Sequence, residues 1–175
     1  EPMVMVYNTE MISAENAPTK WEDMLDEQYK GQIACADPTT SSSSYGVIMG
    51  IVNAYGTDGG GYEFVERLVQ ALDGKILSSS SAVYKGVADG EYMIGMTYEE
   101  AALRYIDAGE PIAIVYPEEG MGFGIDCAFI PKNAPHPDVA HEFLNFICDP
   151  EISARISMNE NVMAINCNLE SEPYL

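Results

Sequence analysis

Cationic side chains are scarce in this sequence: 8 Lys and Arg stand against 28 Asp and Glu, a formal net charge of −20. That deficit excludes a nucleic-acid-binding surface, which needs clustered lysine and arginine to replace phosphate counterions. The acidity reads as solubility, because it is spread over helix faces and ends at Glu22, Asp23, Asp26, Glu27, Glu63 and Glu66. Long apolar runs are missing too: none approaches the ~20 residues that span a bilayer. No charged-then-apolar leader precedes the first motifs and the chain opens on Glu1, so a processed or truncated product is expected.

Paired metal-binding and catalytic motifs are also lacking. Cys35, Cys127, Cys148 and Cys167 lie far apart with no C-x-x-C pair, which argues against a metal centre. Cys35 and Cys127 fall in apolar strand patterns and Cys148 on an apolar helix face, so buried free thiols are expected. There is no G-x-S-x-G elbow, no H-E-x-x-H and no G-x-x-x-x-G-K-[ST] loop. His136 and His141, beside Pro135 and Pro137, read as surface residues in or next to a helix. Ser41 to Ser44 have no evident general base. No enzyme, no cofactor and no metal site is expected.

What the chain does have is a 47% hydrophobic content over 175 residues, enough for one domain with a real core. Strand patterns at Met3–Tyr7, Ile33–Ala36, Tyr92–Thr97, Pro111–Tyr116 and Ile125–Ile130 alternate with helical ones. The helices expected are one capped by Thr19 that carries Trp21, Met24 and Leu25, then Tyr45 to Tyr55, Phe64 to Leu72, Ala82 to Asp89, Glu99 to Ala108, and Val139 to Ile147 stopping near Pro150. Alternation of this kind implies an α/β fold with a largely parallel sheet and helices on both faces.

Two hydroxyl-rich turns stand out. Thr39, Thr40, Ser41, Ser42, Ser43 and Ser44 join the apolar run Gln32–Ala36 to a helix. Ser78, Ser79, Ser80 and Ser81 follow Lys75-Ile76-Leu77 in the same way. The first turn of a helix leaves backbone N–H groups unpaired and carries partial positive charge, so hydroxyls placed there can form an anion pocket. Plain N-capping is the other reading, but one cap uses one serine and the first turn holds six hydroxyl residues in a row. Both turns, together with Thr97, Tyr98, Glu99 and Glu100, follow an apolar strand, the position where parallel sheets bind ligands.

The order of these motifs resembles a known family. Thr19-Lys20-Trp21-Glu22-Asp23-Met24-Leu25-Asp26 followed by Tyr29-Lys30-Gly31-Gln32-Ile33-Ala34 is similar to a stretch of ABC-transporter solute-binding proteins of the type 2 periplasmic-binding-protein family. Ala36-Asp37-Pro38 with its serine run resembles the ligand loop of the branch that includes ferric-iron, phosphonate and sugar-phosphate binders. Gly90 to Tyr98, Ile114 to Gly120, Pro131 to Ala134, Ala140 to Phe146 and Pro150-Glu151 continue the likeness, which covers roughly residues 1 to 155.

The resemblance implies a single α/β unit over residues 1–175. It would be mainly the second lobe of a two-lobed binder, with hinge crossings at Met3–Asn8 and Ile125–Ile130 and with most of the first lobe absent. It implies an extracytoplasmic protein, periplasmic or a cell-surface lipoprotein. Such a protein captures a small anionic solute for the membrane permease of an ABC transporter, with no nucleic-acid partner. Thr40, Ser41, Ser42, Ser43, Ser44, Ser79, Ser80, Ser81, Thr97, Tyr98 and Glu99 would contact the ligand. Iron binders of the family carry adjacent tyrosines where this chain has Tyr98 alone, so a phosphate ester or phosphonate is favoured over ferric iron. An enzyme or a signalling effector domain on the same fold, or a structural lobe without binding of its own, are the alternatives. Loss of the first lobe would bare apolar surface along Met3–Tyr7 and on the helix of Phe143, Phe146 and Ile147, favouring self-association.

Overall fold

A computed structural model of the chain describes residues 1–125 and 127–160. Its sheet is organised around β1 (Met3–Asn8), whose sequence MVMVYN has no polar alternation and whose residues are buried throughout. Such a run is the mark of a strand covered on both faces. The other strands are β2 (Ile33–Ala34), β3 (Ile94–Tyr98) and β4 (Ile112–Val115), in the order β2-β3-β1-β4. β2 runs parallel to β3, with Ile33 opposite Ile94. β1 runs antiparallel to both neighbours, with Met3 opposite Tyr98 and Met5 opposite Val115. Three of the four strands therefore point one way, as a largely parallel sheet requires, and β1 is threaded between two of them in reverse.

Alternate residues of β1 feed two cores. Met3, Met5 and Tyr7 pack with Trp21, Met24, α1 (Ser42–Tyr55) and α2 (Gly60–Ala71) through Val47, Ile51, Phe64 and Leu68. Val4 and Val6 face α3 (Ser80–Ala88) and α4 (Glu99–Asp107) through Val83, Val87, Ala101 and Ala102. Each fully buried aliphatic side chain contributes roughly 1.5–3 kcal/mol, so β1 anchors both layers. The expected bare surface along Met3–Tyr7 is therefore absent, because helices cover both sides of the strand.

The segment after β4 is held by a latch on Trp21. Tyr55 donates its hydroxyl to Glu119 Oε1 at 2.6 Å, the Trp21 amide donates to Glu119 Oε2 at 3.2 Å, and Trp21 Nε1 donates to the Gly120 carbonyl at 2.8 Å. The chain then passes directly against α1. A Cβ on Gly50 would sit 2.3 Å from the Gly122 nitrogen, so only glycine permits this backbone-to-backbone crossing. Beyond it, Met3 N–H bonds the Gly122 carbonyl at 2.9 Å and Pro2 bridges Phe123.

Contacts divide the chain into two compact units, Glu1–Gly124 and Ile125–Leu175. In the second, α5 (Pro137–Ile147) lies against α6 (Pro150–Glu160), a helix the sequence reading stopped short of. Its start is nonetheless written in Asp149-Pro150: the Asp149 carboxylate accepts from the Glu151 and Ile152 amides at 3.0 and 3.3 Å.

Several local expectations are corrected. Ile125 and residues 127–130 form no strand, because among the described residues the only ladder contact nearby is that of Phe123 with Pro2; Asp126 lies outside the described residues. The Trp21 segment forms short 3-10 turns, Glu22–Leu25 and Glu27–Tyr29, rather than a helix capped by Thr19. Capping runs the other way: the Asp23 carboxylate accepts from the Thr19 and Lys20 amides at 2.8 and 3.0 Å. Cys35 is buried as expected, but Cys127 and Cys148 are exposed, since the strand and the buried helix face assumed for them do not form; Cys167 lies outside the described residues. His136 and His141 are exposed, as expected.

Candidate functional site

Same-direction strands gather the hydroxyl turns at one sheet edge. Beyond β2 the chain runs beside Leu77: Leu77 N–H bonds the Cys35 carbonyl and Asp37 N–H bonds the Leu77 carbonyl, both at 2.9 Å, in a parallel bridge of Ala36 with Leu77. α3 follows Leu77, α1 follows β2, and α4 follows β3, so all three helix N-termini open at the carboxyl ends of strands running the same way. β4 ends at the same edge, delivering Tyr116.

In the first turn most of the hydroxyls are spent on the loop itself. Asp37 accepts from the Thr39 amide at 2.8 Å and from its hydroxyl at 2.7 Å; this hydroxyl, then the amide, hold the Asp37 carboxyl below its ordinary value. Thr40 donates to the Asp37 carbonyl at 3.3 Å. Ser41 caps α1, accepting from the Ser44 amide at 3.2 Å, and the Ser44 hydroxyl donates to the Ala36 carbonyl at 2.5 Å. Ser44 also lies 3.8 Å from Cys35, whose thiol burial pushes up. Ser42 and Ser43 are left with hydroxyls that make no hydrogen bond among the described residues; Ser42 is exposed and Ser43 half-buried.

The second turn repeats the division of labour. Ser79 caps α3, accepting from the Ala82 amide at 3.3 Å, and lies 3.1 Å from the Ser81 hydroxyl. Ser80, one residue into the helix, has no hydrogen-bond partner for its side chain among the described residues. α3 therefore begins two residues before the expected Ala82, because Ser79 rather than Ser81 serves as the cap.

At the end of β3, Thr97 is 1% exposed and its hydroxyl has no hydrogen-bond partner. It is the cross-strand partner of Val4, on the face of α3 and α4. Gly95, two residues earlier, abuts Val83 and Val87 of α3. Tyr98 lies edge-on to Tyr84 with ring centroids 6.1 Å apart, and burial, then the Tyr84 hydroxyl, pushes its phenol up to about 12. Glu99 opens α4 and accepts the Tyr116 hydroxyl at 2.6 Å. Burial, then Glu99, pushes the Tyr116 phenol up to about 12, so it stays a donor at neutral pH. Glu100 turns away to pair with Arg104 at 3.6 Å.

The edge thus assembles neutral donors on α1 and α3 with the Asp37 carboxylate before α1 and the Glu99 carboxylate on α4, and neither carboxylate has a lysine or arginine ion pair among the described residues. Tyr116 escaped the sequence reading because it was assigned to the end of a strand; its place after a strand pointing to the serine edge was the available signal. A cavity of about 430 Å³ lies elsewhere, near Met93 at the opposite end of β3. Its wall carries no charged side chain, and Ser13 there is already bonded to Asn16 at 2.8 Å, so the serine edge is the better candidate.

Comparison with known proteins agrees with this architecture. The sequence profile of the bacterial extracellular solute-binding proteins matches residues 1–173. The spermidine/putrescine-binding periplasmic protein of Escherichia coli K12 is 26% identical over 145 residues, covering 79% of this chain and 40% of that protein. A putative 2-aminoethylphosphonate-binding periplasmic protein of Salmonella typhimurium LT2 is 20% identical over 157 residues, covering 87% of this chain and 46% of that protein. The periplasmic binding protein AfuA from Actinobacillus pleuropneumoniae, solved with exogenous fructose-6-phosphate bound, superposes with a TM-score of 0.83 at 24% identity, over 98% of this chain and 55% of that one. The chain spans less than half the length of the two sequence relatives.

Proposed function

The chain belongs to the bacterial extracellular solute-binding protein family, and on that premise we propose that it forms one wall of the cleft of an extracytoplasmic binding protein serving an ABC importer. Its solute is small and anionic, a phosphate ester or phosphonate rather than ferric iron. The partners are that solute and the membrane permease that receives it. The observation that carries the reading is the pair of helix N-termini, α1 and α3, opening at one sheet edge with the Ser42, Ser43 and Ser80 hydroxyls unspent. Relatives are named for a polyamine and a phosphonate, and a fold neighbour was solved with a sugar phosphate; neutral donors at helix N-termini suit the oxyanions among these. The named relatives are binding proteins, in keeping with a sequence that has no catalytic motif.

One wall binds weakly. Each hydrogen bond to the charged oxyanion contributes roughly 1.5–3 kcal/mol, against roughly 4 kcal/mol or more for lost freedom on association. The expected affinity of the 175-residue chain for inorganic phosphate or a sugar phosphate is about millimolar or poorer. Amide-shift titration should report it, and the double substitution Ser43→Ala with Ser80→Ala should abolish it while the circular dichroism spectrum is unchanged. Phosphate binding that survives this substitution would refute the serine site. Exposed Val139, Phe143 and Phe146 on α5 add an apolar patch that favours self-association, measurable by light scattering.

A further inference from the structure

The cavity of about 430 Å³ beside Met93 takes no part in the serine edge, and its size lies within the about 300–1,000 Å³ of small-molecule sites. Main-chain hydrogen bonds fix its walls. The Asn8 amide donates to the Met93 carbonyl at 2.9 Å, the Met93 amide to the Gln32 carbonyl at 3.0 Å, and the Gln32 amide to the Tyr29 carbonyl at 2.8 Å. The Asn8 side chain holds the loop that carries Met11. Its Oδ1 accepts from the Glu10 and Met11 amides at 2.9 and 3.1 Å, while Nδ2 donates to the Val87 carbonyl at 2.7 Å. A space walled in this way is preformed, which lowers the ordering cost of filling it.

Tyr29 supplies the observation that points to a ligand. The residue is 3% exposed, yet its hydroxyl has no hydrogen-bond partner among the described residues. A solvent-sealed hydroxyl without a partner is costly, and among the described residues Thr97 alone carries one. The Tyr29 hydroxyl therefore keeps a little open surface, and the space that Tyr29 lines is this cavity. Burial, then Asp26 and Asp23, pushes the phenol above its ordinary value, so it is a donor at neutral pH.

The rest of the wall narrows what can accept from it. Met11, Ile12 and Met93 offer apolar surface, and thioethers pack well against aromatic rings. Ser13 and Asn16 are bonded to each other, and the Gln28 side-chain amide at the rim has no partner among the described residues. No charged side chain lines the space, so a buried ion of either sign would go unpaired there. Asp23 and Asp26 near Tyr29 disfavour an anion further.

We propose that this cavity is a second binding site, separate from the serine edge, for a small neutral molecule that joins an aromatic ring to a hydrogen-bond-accepting oxygen, the oxygen taking the Tyr29 hydroxyl and the ring packing on the Met11 and Met93 thioethers. The test titrates the 175-residue chain with benzyl alcohol, with phenylacetate as the anionic counterpart and benzylamine as the cationic one, and follows amide shifts. Benzyl alcohol is expected to move the Met11, Gln28, Tyr29 and Met93 amides and to leave those of Ser43 and Ser80 in place. Tyr29→Phe, which keeps the ring and removes the donor, should weaken it about threefold to tenfold. Met11→Ala, at a position 42% exposed, should weaken it as well without touching the core. Urea midpoints confirm that each variant folds. Unchanged affinity in either variant would overturn the site, as would an absence of shifts at the cavity amides up to the solubility limit. Tighter binding of phenylacetate or benzylamine than of the alcohol would overturn the neutral class. Inorganic phosphate should leave the cavity amides unmoved, so this site and the serine site stand or fall separately.

Discussion

Replacing Thr97 by valine should make the protein more stable. The Thr97 hydroxyl is 1% exposed and bonds nothing, between β3 and the helices above it. Burying an unpaired hydroxyl costs about 1–3 kcal/mol. Valine keeps the branched shape and β preference while replacing the hydroxyl with a methyl that suits the Val4, Val83 and Ala101 surroundings. The expected gain is about 1–2 kcal/mol, or about 0.5–1 M in the urea midpoint for an m value of about 2 kcal/mol/M. Far-UV circular dichroism in urea reads the midpoint. A midpoint lowered by valine would mean that the hydroxyl is satisfied in the folded protein, and the reasoning built on it would fail.

Further outcomes follow from the packing and the latch. Gly50→Ala should cost about 3 kcal/mol by forcing α1 off the Gly122 backbone, whereas Gly46→Ala, whose Cβ meets only the flexible Met3 side chain at 3.3 Å, should be near neutral; paired urea melts decide this. At Glu119, burial pushes the carboxyl up, but hydrogen bonds from the Tyr55 hydroxyl and from backbone amides including that of Trp21 hold it below its ordinary value. With the folded value below the unfolded one, its stabilisation is complete above about pH 4.3 and is lost as pH falls through the folded value, and Glu119→Gln should flatten the midpoint-versus-pH curve there. Ferric citrate should raise no phenolate charge-transfer band, because Tyr98 stands alone at its strand end with a phenol held up to about 12 by burial and Tyr84; a strong visible band would refute this.

The α/β class and the helices on both sheet faces were legible in the sequence because each rests on local signals, chiefly apolar runs. The capping serines proved to be Ser41 and Ser79, earlier than the Tyr45 and Ala82 starts that periodicity predicts. What escaped depends on distant partners. Ile125–Ile130 has the composition of a strand but, among the described residues, no ladder to join. Cys127 looked buried for the same reason. The reversed direction of β1 is set by β3 and β4, about a hundred residues away, and nothing in MVMVYN encodes it. Tyr116 acquires its role only by meeting Glu99, 17 residues earlier, across the edge.

The central position of β1 also dictates how the chain reaches this state. Met3 must find Tyr98, and Met5 must find Val115, so the strand that unites the sheet is closed by its least local contacts. Topologies dominated by distant pairings fold in milliseconds to seconds, far slower than helical hairpins. A chain that has formed the β2-β3 pair with α1 and α3 still holds an open slot between β3 and β4, edged by unpaired backbone groups. A second molecule's MVMVYN segment fits that slot as well as its own. Refolding at high concentration should therefore set intramolecular insertion against strand exchange, and light scattering of the refolded protein should detect exchanged dimers whose share rises with concentration.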